Sequence, residues 1–236
     1  MAHAISTSPT VPVPPLENGD HLTRQEFERR YQAATHLKKA ELIEGVVYVP
    51  AALRFKSHAE PHGSLTGWLW YYTMATPGVE IGVEPTIRLD ADNEPQPDVV
   101  LRLPEWAGGQ SRIAPDDYIE GAPELVAEIA ASSAAIDLND KLNAYRRNSV
   151  QEYLVWQVFE QRLDWFRLHE GRFQPLTPDA DGIIRSQVFP GLWLAVSALL
   201  EKQTTQLLAV AQAGLAASAH QQFVQHLASQ PPLGND

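Results

Sequence analysis

The chain contains no cysteine. Disulfides, thiol nucleophiles and cysteine-ligated zinc are excluded outright. Long apolar runs are missing too: none approaches the roughly 20 residues that a membrane helix requires. No basic segment followed by an apolar one opens the sequence, so no secretory leader is expected. The expected compartment is the cytoplasm, with no membrane partner. Basic residues are scarce, 18 Lys and Arg against 29 Asp and Glu, for a formal charge of −11. A field of that sign repels phosphate and argues against broad nucleic-acid affinity. It leaves room for a local basic patch, and a surplus of acids is natural in a protein that holds Mg²⁺.

What remains is ordinary globular material. Hydrophobic residues make up 44 % of 236, enough for one domain with appendages. Residues 1–20 carry Pro9, Pro12, Pro14 and Pro15 among Ser and Thr and predict a disordered or extended tail. Residues 21–200 hold the main domain, and residues 201–236 form a C-terminal helical extension and tail, a candidate packing or oligomer element. Thr23 and Glu26 have capping-box spacing at the start of a helix. Leu42-Ile43 and Val46–Val49 read as two short strands around a Glu44-Gly45 turn. An irregular basic stretch follows (Arg54, Lys56, His58, His62), then a helix with Leu65, Trp68, Leu69 and Tyr72 on one face. Strands are predicted over 79–83, 86–89, 98–103, 124–130, 152–158, 162–168 and 172–176, with a long loop at 104–122, a helix over 136–147 and an edge segment at 188–194. The pattern is α/β (α+β): a mixed β-sheet flanked by helices.

The chemistry concentrates between Pro97 and Lys141. Asp98 follows a proline at the entry of an apolar strand, where it could simply accept a backbone N–H. Glu128 interrupts the apolar run Leu125-Val126-Ala127-Glu128-Ile129. A carboxylate buried there must be paired, hydrogen-bonded or metal-bound, unless it sits on an exposed strand face. Lys141 lies four residues after Asp137, the spacing of an ordinary surface ion pair on a helix. Taken singly, each has a bland explanation. Jointly, two carboxylates on neighbouring strands with an ammonium nearby suit metal-assisted phosphodiester hydrolysis.

Several stretches together resemble the Uma2 family: Glu41-Leu42-Ile43-Glu44-Gly45, His62-Gly63, Gln96-Pro97-Asp98, Gly121–Ile129, Asp140-Lys141-Leu142 with Tyr145, Glu152–Val155 and Phe189-Pro190-Gly191-Leu192. That bacterial family belongs to the PD-(D/E)XK, restriction-endonuclease-like superfamily, and the resemblance covers roughly residues 22–200. It implies a restriction-endonuclease-like fold and an Mg²⁺- or Mn²⁺-dependent endonuclease acting on nucleic acid, DNA first. By position, Asp98 and Glu128 match the metal-binding acids. The lysine expected two residues after Glu128 is replaced by Ala130, and Lys141 on the following helix matches in its stead. Glu44 and His62 match positions beside the site. The family's Ser-Pro-Ser/Thr stretch after the strand acid is here Ala131-Ser132-Ser133-Ala134. Residues 104–122, Arg146 and Arg147 are expected to approach the phosphate backbone. The rival reading is a catalytically inactive nuclease-fold module that binds or regulates through a homodimer or partner interface.

Overall fold

A computed structural model describes residues 13–131 and 133–230. Residues 1–12 of the expected tail, Ser132 and the last six residues lie outside them. Residues 13–20, where a tail was expected, are mostly exposed but anchored: Leu16 is buried, and Gly19 N donates to Val47 O at 2.8 Å. Helix α1 (Arg24–Ala33) begins at the Thr23 cap, whose Oγ1 accepts from Glu26 N. Only half of the predicted capping box forms, because the Glu26 carboxylate turns outward to Arg29 and Arg30 at 2.7 Å. Strands β1 (Glu41–Ile43) and β2 (Val46–Tyr48) form the predicted hairpin. Glu44 and Gly45 both take positive φ, 52° and 74°, as a two-residue turn matched to strand twist demands.

The basic stretch expected to be irregular is helical. Phe55–Ala59 is a π-helical turn running straight into α2 (Glu60–Met74), so His58 and His62 sit one turn apart on continuous helix. Leu65, Trp68, Leu69 and Tyr72 are buried along α2 as their spacing predicts.

After α2 come β3 (Glu80–Val83), β4 (Ile87–Arg88), β5 (Val99–Arg102), β6 (Arg112–Ile113), β7 (Ile119–Glu120) and β8 (Leu125–Ala130). The crossover is α3 (Ala134–Ile136), a second π-helical turn at Asp137–Lys141, and α4 (Leu142–Arg147). Strands β9 (Glu152–Gln157), β10 (Arg162–His169) and β11 (Arg172–Pro175) complete a six-stranded sheet in the order β11-β10-β9-β8-β5-β3. Within this sheet only the β8–β9 pair is parallel, and the helical crossover between its strands is what such a pair needs. β8 is buried at all six positions. Leu125, Ala127 and Ile129 join the core shared with α2, while Val126 and Ala130 face Tyr145 and Tyr153 on the other side.

The segment 86–89 lies outside this sheet: β4 pairs with β7 in a small β4-β7-β6 sheet. The 104–122 loop is therefore structured, and its roots lie at the end of β5 and β8 remote from Asp98 and Glu128, since Leu101 pairs with Leu125 and Val99 with Ala127. Beside the small sheet, Glu94 is 4 % exposed, its Oε2 has no hydrogen-bond donor, and Arg88 Nε stays 4.0 Å away. Burial, then the neighbouring Glu28 carboxylate, pushes Glu94 up to about 8. The folded protein therefore holds a proton there that the unfolded chain releases near the ordinary carboxylate value, so this contribution to stability is full at low pH and is lost as pH rises from about 4.5 to about 8. Glu94→Gln should remove the loss. In urea titrations its stability relative to wild type is expected to rise by a few kcal/mol (order of magnitude) between pH 5 and pH 8, and parallel curves would sink the assignment.

Strands β12 (Ile183–Arg185) and β13 (Trp193–Ala195) pair with each other. The 188–194 segment is thus no edge of the main sheet: Phe189 is buried, and Pro190 O accepts from Tyr72 Oη at 3.0 Å. Helices α5 (Val196–Leu200), α6 (Thr204–Ala216) and α7 (Ser218–Ser229) follow. The extension packs on its own chain, with His220 Nε2 2.9 Å from Thr76 Oγ1 and Leu227 buried. Its tightest point is Gly214, where a Cβ would stand 2.2 Å from Gly191 O and 2.9 Å from Trp193 Cγ. Gly214→Ala is expected to destabilise by about 1–3 kcal/mol, overpacking outweighing the gain in helix propensity. Gly67→Ala, at a helical position with nothing within 4 Å, should instead gain up to about 1 kcal/mol in the same denaturation assay. Among the described residues no helix is long and apolar enough to cross a membrane.

Candidate active site

Antiparallel register brings the two strand acids together. Val99 opposes Ala127, so Asp98, one residue earlier, stands across from Glu128, one residue later. Asp98 Oδ2 accepts from Ile129 N at 2.6 Å. The strand-starting role that the Pro97-Asp98 dipeptide suggests is real, and it points the carboxylate across to β8. Asp98 is 3 % exposed and Glu128 4 %. Glu128 shares the pleat face of Val126 and Ala130, the face that α4 covers.

From the crossover, Lys141 reaches back to the strand. Its Nζ lies 2.9 Å from Glu128 Oε1, 2.9 Å from Glu41 Oε1 and 3.6 Å from Asp137 Oδ1. The Asp137–Lys141 spacing forms the expected pair, but at 5 % exposure Lys141 is no surface residue. Residues four apart share a helix face, and both ends of this π-helical turn, Asp137 and Lys141, are buried. The ammonium that Ala130 cannot supply thus comes from the helix. Tyr145 Oη also donates to Glu128 Oε1, at 2.9 Å, and Ser133 Oγ holds Asp137 Oδ2 at 2.6 Å.

Three carboxylates, Glu41, Glu128 and Asp137, close on the Lys141 ammonium, and Asp98 is buried across from Glu128. Burial drives Glu128 up to about 8; Lys141 opposes that rise, while Asp137, Asp98 and Glu41 add to it. Burial likewise raises Asp137. On Lys141 burial acts downward, but Glu128, Glu41 and Asp137 outweigh it and hold the amine well above its ordinary value. Burial also acts against ionised Asp98, yet His58 and the Ile129 N–H keep it below the usual carboxylate range.

This donor set fits a hard divalent cation. The donor atoms that Asp98 and Glu128 could offer are carboxylate oxygens, and Glu128 Oε2 accepts no hydrogen bond from the described residues.

His62 is at the site: its Nε2 is 3.1 Å from the Asp98 carbonyl oxygen. Glu44 is not among the groups that touch Asp98, Glu128 or Lys141. At the hairpin bend its carboxylate meets Arg147 Nη2 at 3.0 Å. The hairpin acid that enters the centre is Glu41, which also accepts from Gln96 N at 2.8 Å. Arg146 donates to Gly171 O, and Arg147 is occupied by Glu44 and Asp90. Sequence reading passed over Glu41, His58, Asp137 and Tyr145. Glu41 carried a usable signal, an acid directly before an apolar strand pair, the same pattern that singled out Asp98.

Fold and site together define a restriction-endonuclease-like mixed sheet, with an aspartate and a glutamate facing each other on central strands and a lysine delivered from the crossover. The chain belongs to the Uma2 family, described as "putative restriction endonuclease", whose model matches residues 24–197. Helices α6 and α7 lie beyond that match. Among solved structures, the fold is similar to a "putative nuclease belonging to DUF820" from Anabaena variabilis, at 15 % identity and a TM-score of 0.59, over 76 % of this chain and 98 % of that one. No curated protein matches.

Proposed function

We propose that the protein is a metal-dependent endonuclease that hydrolyses phosphodiester bonds, with DNA as its first substrate. The observation that carries this reading is Asp98 standing opposite Glu128 while Lys141 closes on Glu128. Asp98 and Glu128 would hold Mg²⁺ or Mn²⁺. When bound, such an ion lowers the pKa of a water and neutralises charge gathering on the phosphate. Lys141, ringed by three carboxylates, serves as a fixed cation and hydrogen-bond donor to a phosphate oxygen or the attacking water rather than as a base. Glu41 and Asp137 position its amine, and Tyr145 fixes the Glu128 carboxylate. His62 steadies the Asp98 backbone. In a chain of charge −11, Lys39 is near enough to lower Asp98, and Arg54 and Lys56 are exposed beside His58, so the approach to the acids carries local positive charge.

The test is cleavage of plasmid, linear duplex, single-stranded DNA and RNA by purified protein with Mg²⁺, Mn²⁺ or EDTA. Cleavage with metal and none in EDTA is expected. Folded protein that binds metal and cuts nothing would instead mark a binding module on a nuclease fold.

A further inference from the structure

The oxygen donors at Asp98 and Glu128 are not the only ligand atoms in this part of the molecule. One ring nitrogen each of His58 and His62 and one oxygen of Asp98 lie within 4.8 Å of one another. The two histidines are four residues apart where the first π-helical turn runs into α2, which sets both rings on the side facing Asp98. His58 Nε2 is 3.2 Å from Asp98 Oδ1, yet it is buried and makes no hydrogen bond of acceptable geometry. Two ligands of one ion, each at roughly 2.1 Å and subtending 90–109°, are separated by roughly 3.0–3.4 Å. The His58–Asp98 contact has the length of such an edge and lacks the alignment of a good hydrogen bond. His62 is held beside it through the Asp98 carbonyl, and its ring stands edge-on to His58 with centroids 5.7 Å apart. A groove of about 530 Å³, lined in part by His58, His62, Thr66, Trp70 and Val83, opens onto the histidines and leaves room for an ion's arrival and for further ligands.

We propose that His58, His62 and Asp98 form a two-histidine, one-carboxylate site that takes an imidazole-binding transition ion, of the Zn²⁺, Co²⁺ or Ni²⁺ class, in preference to Mg²⁺. Imidazole nitrogen favours these ions, whereas Mg²⁺ is held by oxygen and keeps its waters. This deepens the metal-dependent reading above and rests on it in one respect, that Asp98 is a metal ligand. The bland alternative is a partly buried histidine whose only job is to pair with Asp98 when protonated. That role would give no preference among divalent ions.

The test uses untagged full-length protein and isothermal titration with Zn²⁺, Co²⁺ and Mg²⁺, together with the visible absorption of the Co²⁺ form. Wild type, His58→Ala, His62→Ala and the distant control His169→Ala are compared, each first shown to melt as wild type does without metal. Wild type is expected to bind Zn²⁺ and Co²⁺ on the order of 100-fold more tightly than Mg²⁺. Each site variant should lose roughly 10–100-fold in Zn²⁺ and Co²⁺ affinity and alter the Co²⁺ bands, with a clearly smaller loss for Mg²⁺, so that the preference over Mg²⁺ falls. His169→Ala should change nothing. Equal affinities for Zn²⁺ and Mg²⁺, or site variants that bind Zn²⁺ as wild type does, would overturn the proposal, and Mg²⁺-driven cleavage in those same variants would leave the nuclease reading standing. Tight, histidine-dependent Zn²⁺ binding in a protein that cuts no substrate would uphold the site and remove the nuclease.

Discussion

Asp98→Asn is expected to lower metal-dependent cleavage by on the order of 10³-fold or more while the protein stays folded. Asparagine keeps the volume of the side chain and an oxygen that can accept the Ile129 N–H, the 2.6 Å bond that ties the start of β5 to β8. What it removes is the charge, and with it the metal ligand. Asp98→Ala would be less informative, because it also strands the buried Ile129 donor, which costs about 1–3 kcal/mol, so lost activity could reflect lost structure. Single-turnover cleavage with protein in excess, read beside the melting temperature, separates the two. Activity within about ten-fold of wild type in a folded Asp98→Asn protein would place the chemistry elsewhere.

Asp98 and Glu128 were legible in the sequence because strand periodicity and register are local rules. An acid after Pro97 opens one apolar run, an acid interrupts another, and antiparallel pairing sets them face to face. Lys141 was legible as a nearby ammonium, and family resemblance gave it the place of the missing strand lysine. Its spacing from Asp137 is that of any helical ion pair, and nothing local announces that a π-helical turn will bury it. Glu41 was missed in favour of Glu44 because the choice depends on which hairpin side chain faces the crossover, a contact spanning a hundred residues. The bend residue instead meets Arg147. His58 was read as part of an irregular stretch, since Arg54–His62 has no apolar periodicity, and its helical state comes from continuity with α2. The same blindness to long-range pairing put 86–89 and 188–194 in the main sheet. Both are β-formers, but β4 finds its partner in β7 and β13 in β12.

Lys141→Met should be the most destabilising single change at the centre, by about 3–5 kcal/mol, because it leaves buried carboxylates without their cation. The methionine fills most of the space, so the loss is electrostatic rather than a cavity. It should also grow with pH. Without the ammonium, Glu128 and Asp137, already raised by burial, keep protons in the folded state to still higher pH. The folded protein then binds more protons than the unfolded chain across neutral pH, and stability falls as pH rises. A second change, Glu128→Gln, removes one of the stranded charges and keeps the acceptor for Tyr145 Oη. The double variant should regain a large part of the loss, a coupling that a double-mutant cycle in urea at pH 5 and pH 8 reads directly. If Lys141→Met costs less than about 1 kcal/mol at pH 8, the surrounding acids are neutralised by protons rather than by this lysine, and its role as the fixed cation of the site fails.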